Sequence, residues 1–158
     1  MEYRSRNIVS EAPQRALLKG VGLSDKEMEQ PIIGIANSWG ELSPGHIHLR
    51  EISEYVKKGI RYAGGTPLEF NTIALCDGLS GAFVKNKDAQ RYTLPSRDII
   101  ADSVEVSIES NQLDAMILIG TCDKIVPGML LAMARLNIPA IFIHGGPMMA
   151  GNYKGVSI

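Results

Sequence analysis

The stretch "GTCDKIVPG", residues 120–128, sets a thiol, a carboxylate and an amine side by side as Cys122, Asp123 and Lys124. A second stretch, "CDG" at residues 76–78, joins Cys76 to Asp77. Each follows an apolar run. Two carboxylates brought together repel one another unless a cation lies between them, and oxygen ligands select a hard ion such as Mg²⁺. A thiolate is a soft ligand, and beside a hard site it points to a second centre such as zinc or an iron–sulfur cluster. The same residues also suit a plainer account, in which Cys76 and Cys122 are small buried hydrophobes and the aspartates cap turns or helices. Spacing does not choose between the two accounts. The sequence has no CxxC pair and no HxxxH helix, which argues against a self-contained zinc site.

His46 and His48 in "PGHIHL" are two residues apart at an expected helix start, where they would point in different directions. Packing or capping at that start is their expected role. His144 precedes the glycine-rich "GGPMMAG". That loop lacks the lysine and the spacing of the phosphate-binding and dinucleotide motifs, and is read as a turn lining a pocket. There is no Gly-x-Ser-x-Gly elbow and no recognisable order of nucleophile, histidine and acid, so nucleophilic hydrolysis finds little footing.

These residues need elements to position them. Four runs rich in β-branched and large apolar residues, "PIIGIANS" (31–38), "FNTIAL" (70–75), "AMILIG" (115–120) and "AIFIHGG" (140–146), suit strands buried on both faces. Between His46 and Ala63, Leu49, Ile52, Val56 and Ile60 recur at helical spacing, and Gly64-Gly65 supplies a stop. Ile100, Val104 and Ile108 mark a helix over 96–110, with Ser96 as expected N-cap and Asp98 in the first turn. Another is expected over Pro127–Leu136, closed by Asn137, and a short one through "APQRALLKGVG" near the start. The alternation predicts an α/β fold, a mostly parallel sheet with helices on both faces in three layers. Ligands of such sheets bind where the carboxyl ends of the strands converge. Both Cys-Asp pairs would lie on that edge.

With 158 residues, 45% of them hydrophobic, the chain suffices for one domain over 1–158. Its net charge of −1, with both signs interspersed, leaves no basic stripe, so nucleic acid is not an expected partner. The polar start "MEYRSRNIVSEAPQR" and the absence of a run long enough to span a bilayer predict a cytoplasmic protein without membrane contact. Two cysteines far apart in sequence fit reduced thiols rather than a disulfide framework.

"PIIGIANSWGELSPGHIHL", "GGTPLEFNTIALCDG", "YTLPSRDIIADSVE" and "TCDKIVPGMLLAMARLNIPAIFIHGGPM", in that order, closely resemble the amino-terminal part of the dihydroxy-acid and 6-phosphogluconate dehydratase family. The resemblance runs from about Arg15 to Met148. It implies an iron–sulfur cluster and Mg²⁺ in one active site, and removal of water from a small 2,3-dihydroxy acid to give a 2-keto acid. By resemblance Cys122 ligates the cluster, Asp77 and Asp123 bind Mg²⁺, and Lys124 matches a lysine that the family carries as a carbamate, a further anionic metal ligand. An unmodified ammonium would oppose the metal. Gly45 stands where some relatives carry another cluster cysteine, as in the four-iron branch, so both [4Fe-4S] and [2Fe-2S] stay open.

The loop after "CDG", "LSGAFVKNKDAQR", is longer than in relatives and lacks their histidine. Family enzymes are several times longer, and the missing carboxyl-terminal portion is expected to supply further ligands and the base, leaving this chain inactive alone. The resemblance also implies a homo-oligomer. Dehydration in branched-chain amino-acid (valine, isoleucine) biosynthesis leads. Its rivals are a sugar-acid (6-phosphogluconate or aldonate) dehydratase domain and a non-catalytic binding or assembly module that kept the fold.

Overall fold

In the computed structural model, residues 3–82 and 88–157 are described. Three short helices, α1 (Arg6–Val9), α2 (Ala12–Gly20) and α3 (Asp25–Met28), precede β1 (Ile32–Asn37), α4 (Leu49–Tyr62) and β2 (Thr66–Asn71). A wide helical turn at Gly78–Ala82 and a 3-10 turn at Asp88–Tyr92 lead to α5 (Ser96–Ser110), β3 (Ala115–Gly120), α6 (Ile125–Leu136) and β4 (Ala140–His144). A small hairpin, β5 (Asn152–Tyr153) and β6 (Val156–Ser157), follows. Its central residues Lys154 and Gly155 both have positive φ, 51° and 80°, as a tight primed turn requires.

The four main strands pair in parallel in the order β2-β1-β3-β4. Alternate residues of each strand point to opposite faces. On one face Ile35 and Ile119 meet Leu49, Ile52, Val56 and Ile60 of α4. On the other, Ile32, Ala36, Met116 and Leu118 meet Ile100, Val104 and Ile108 of α5 and Ile125, Met129 and Ala132 of α6. Val9, Leu23 and Met28 of the amino-terminal segment join this second core. The result is the expected three-layer α/β arrangement, helices on both faces of a parallel sheet.

Local chemistry sets the limits of the elements. Gly64, at φ 84°, ends α4, with Gly65 N–H donating to Ile60 O at 2.9 Å. Asn137 ends α6 at φ 48°. Ser96 is the first residue of α5 rather than its cap: its hydroxyl turns back to donate to Thr93 O at 2.6 Å. α3, which periodicity does not reveal in four residues, begins with a capping box between Ser24 and Glu27.

The second strand lies earlier than the apolar run "FNTIAL" predicts. It spans Thr66–Asn71 because it pairs residue for residue with β1, from Ile32↔Thr66 to Asn37↔Asn71, and β1 stops at Asn37. Beyond that point Thr72 N–H still donates to Asn37 O at 3.0 Å, and then the chain leaves the sheet. Cys76 and Asp77 therefore sit at the end of a connecting segment and not directly on a strand end. The tolerance for Pro67 and Glu69 in β2 follows from its place at the edge of the sheet.

Candidate functional site

β3 delivers Thr121–Lys124 to the carboxyl edge of the sheet, and α6 starts immediately after it. Cys122 takes the left-handed conformation, φ 73°, that costs a non-glycine residue about 1 kcal/mol or more. The turn is held on both sides. Thr121 Oγ1 donates to Gly45 O at 3.1 Å, and Val126 N–H donates to Cys122 O at 3.2 Å. Positive φ there sets the Cys122 and Asp123 side chains at the mouth of the turn.

Asp77 reaches the same place by another route. Thr72 and Ser103 hydroxyls lie 2.7 Å apart, and Ala74 packs on the α5 side of the core, so the segment after β2 crosses toward β3. Ser80 N–H then donates to Cys76 O at 2.9 Å, closing the turn that carries Asp77. The structure thus brings Asp77, Asp123 and Lys124 together. Lys124 Nζ donates to Asp77 Oδ2 at 2.6 Å and to Asp123 Oδ2 at 2.5 Å. The Lys124 side chain is 13% exposed and that of Asp123 is 64% exposed. Asp77 Oδ1 is buried and has no hydrogen-bond partner among the described residues.

The electrostatics follow from this contact. Hydrogen bonds to Asp123 and then Asp77 hold the Lys124 amine above its ordinary value, and the same ammonium holds the Asp123 carboxyl below its own. Burial pushes the Cys122 thiol up, with its 3.4 Å hydrogen bond to Asp123 Oδ1 acting in the same direction. A neutral thiol is not a metal ligand, so Cys122 would need a cation beside it to ionise. The two cysteines are free.

Of the packing or capping expected of His46 and His48 at the helix start, His46 shows packing, and His48 makes no side-chain cap. His46 is buried at 1% exposure, its Nδ1 at 3.3 Å from Ser38 Oγ and its Nε2 at 3.4 Å from Thr121 Oγ1. It joins the loop after β1 to the residue before Cys122. His48 precedes α4 without a side-chain cap and donates from Nε2 to Gly145 O at 2.7 Å. His144 accepts from Gly146 N–H at 2.9 Å, which closes a local turn. None of the three joins the carboxylates, and among the described residues no group of three or more His, Cys, Asp or Glu side chains is placed to hold a metal ion.

Sequence reasoning missed the buried bridging role of His46, whose only signal was a polar residue among the small ones of "SPGH". It also missed Arg50, whose guanidinium stacks 3.6 Å from the centroid of the Trp39 ring. That pair lines a groove of about 630 Å³ beside β2 that contains none of the Cys-Asp residues. A concavity of about 460 Å³ between Trp39, Ser43, His46 and Thr72–Leu75 lies closer to them in the chain. The longer loop "LSGAFVKNKDAQR" falls partly at 83–87, outside the described residues.

Residues 30–158 match the family described as dihydroxy-acid/6-phosphogluconate dehydratase N-terminal. The chain is 57% identical over 147 residues to the dihydroxy-acid dehydratase of Pyrococcus furiosus, covering 93% of this chain and 26% of that protein. It is 56% identical over 142 residues to that of Ignicoccus hospitalis, covering 90% and 25%. With the dihydroxy-acid dehydratase of Desulfitobacterium hafniense the identity is 53% over 147 residues, covering 93% and 25%. The chain spans about a quarter of the length of these relatives. A family match over residues 30–158, a range that includes Asp77 and Lys124, together with 57% identity over 147 residues, places the chain in the dihydroxy-acid/6-phosphogluconate dehydratase family, as its amino-terminal part.

Proposed function

We propose that this chain supplies part of the iron–sulfur and Mg²⁺ site of a hydro-lyase that converts 2,3-dihydroxy acids to 2-keto acids and water, in the cytoplasmic synthesis of branched-chain amino acids. The observation that carries the reading is the Lys124 ammonium lodged between Asp77 and Asp123, with one Asp77 oxygen buried and without a partner among the described residues. A buried carboxylate oxygen without a donor is costly. A divalent cation binding Asp77 through both of its oxygens would satisfy it, and the ammonium, on Oδ2 of both carboxylates, occupies a position that such a cation would share. Carbamylation of Lys124, in which the neutral amine adds CO₂ and releases a proton, turns that competitor into an anion. Asp77, Asp123 and carbamylated Lys124 would then hold Mg²⁺, and Cys122 would hold an iron of the cluster, whether [4Fe-4S] or [2Fe-2S].

When bound, the two centres supply Lewis acidity toward the departing C3 hydroxyl and toward the C2 hydroxyl and carboxylate of the substrate. The chain's own contribution is placement. The left-handed turn at Cys122 and the crossing segment before Asp77 hold soft and hard ligands on one edge, so that a substrate between them meets both. Two carboxylates and a thiol fall short of a full ligand set, so the rest comes from the portion of the enzyme that follows the matched region in the relatives. The relatives, named dihydroxy-acid dehydratases, favour the dihydroxy-acid reading over a sugar-acid substrate.

The test is the iron, sulfide and magnesium content of the chain purified without air, alone and with the remaining portion of the Pyrococcus furiosus enzyme supplied. Metal retained only with the second portion, and lost with Asp77→Asn, is the expected result. No metal in either preparation would favour a non-catalytic assembly module instead. Turnover by the 158-residue chain alone would refute the partial-site claim.

A further inference from the structure

The two outer edges of the sheet differ in kind. Thr66 and Thr72 N–H groups point inward to β1, so by alternation Pro67, Glu69 and Asn71 present their backbone outward. Pro67 has no N–H to offer, and the Glu69 carboxylate, paired with Lys57, sets charge beside that edge. Proline and charge are the means by which natural sheets prevent further pairing. β2 is built as an end.

β4 carries neither device. Gly145 N–H points inward to Gly120 O, and Pro139 O accepts from Met116 N–H, so Ala140, Phe142 and His144 present N–H and C=O outward. The strand "AIFIH" contains no proline, lysine or acid. On its α4-side face Ile143 packs against the α4 core, but the first half of the strand, at Ile141, is bare. α4 covers β1 and β2 and reaches β3, and next to it Ile141 is 59% exposed in an apolar groove of about 270 Å³ formed with Ile33, Ile60, Ala63, Ile117 and Pro139. Parallel sheets are covered on both faces, so β4 has the composition and surroundings of an interior strand.

We infer that the free edge of β4 and the bare part of its face are the docking surface for a parallel strand and a covering helix from the portion of the dehydratase that follows this region in its relatives. Three quarters of the relatives' length lies outside the matched region and is available to supply them. A second copy of this chain fits less well: joined edge to edge about an axis normal to the sheet, it would set two bare patches side by side and cover neither. Direction adds a functional consequence. A parallel neighbour of β4 ends on the same edge as the 121–124 turn, so the loop after it arrives beside Cys122 and Asp123. The inference rests on the partial-site reading for its partner but not for its metal chemistry.

Hydrogen exchange tests it on two existing proteins, this chain and the intact Pyrococcus furiosus enzyme, with the β2 edge as internal control. The amides of Ala140, Phe142 and His144 should exchange quickly in this chain, and their counterparts at least about 100-fold more slowly in the intact enzyme, while the positions of Glu69 and Asn71 stay comparatively fast in both. Equal exchange at the two edges of the intact enzyme would overturn the inference, and so would protection of β4 in this chain that grows with its concentration, which would mark a second copy as the occupant. Ile141→Glu should shift the melting temperature of this chain by less than about 2 °C. In the intact enzyme the equivalent change should restore fast exchange at β4, and failure to do so would also count against the assignment. Activity need not be measured, so a wrong substrate or cofactor would leave this result standing.

Discussion

At the scale of single residues, the site is a balance between one cation and two anions. Lys124→Met would leave Asp77 and Asp123 facing each other without a counter-charge, and the solvent exposure of Asp123 limits the cost to about 1–2 kcal/mol. Urea unfolding in a chelator measures it, and Asp77→Asn in the same chain should recover part of the loss; a fully additive double variant would show that the contact carries no coupling. His46 gives a second expectation. Burial holds it below the ordinary histidine value, so the unfolded chain takes up a proton at a pH where the folded one does not. Its contribution is present above about pH 6.5 and is lost as pH falls from there toward the lower folded value. The melting temperature should decline over that window, and less so in His46→Asn; parallel profiles would sink the assignment. The Cys-Asp pairs were legible because their residue types have few other uses together. The left-handed Cys122 and the orphaned Asp77 oxygen were not, since both arise from how the turns are held.

At the scale of elements, close approach decides more than propensity. A Cβ at Gly128 would stand 2.9 Å from Arg97 O and 3.0 Å from Ile100 Cβ, at the crossing of α5 and α6. Gly128→Ala should therefore cost about 1–3 kcal/mol by forcing the helices apart. Gly59, inside α4 with nothing within 4 Å of an added Cβ, should show the opposite sign. Gly59→Ala is expected to stabilise by up to about 1 kcal/mol through helix propensity. Chemical unfolding of both variants checks the contrast, and two changes of the same sign would contradict it. The long helices were readable because a repeat of three to four apolar positions survives any tertiary context. β2 was not: "TPLEFN" is less apolar than the run after it, and only pairing with β1 fixes which residues are strand. α1 and α3, four residues each, are too short to show a period.

At the scale of the whole molecule, the amino-terminal segment is tied to the sheet at one carboxylate. Asp114, just before β3, accepts from Ser5 N–H at 2.9 Å, from Ser5 Oγ at 2.7 Å and from Ile32 N–H at 2.7 Å. It joins α1, the start of β1 and the start of β3, elements far apart in sequence. Above this clasp, Val9, Leu23 and Met28 enter the same core as α5 and α6, so the segment and the sheet should unfold together. Asp114→Ala strands three donors near the core, two backbone N–H groups and one hydroxyl, and should cost about 2–4 kcal/mol. Cooperative behaviour fixes the form of the result: the urea midpoint should fall while the slope of the transition stays unchanged. A shallower slope, or loss of helical signal before the sheet core melts, would mean that the segment detaches alone. The polar ties of the segment, this clasp among them, would then hold it to the sheet more than the shared apolar core does, and that core would count for less than its burial implies.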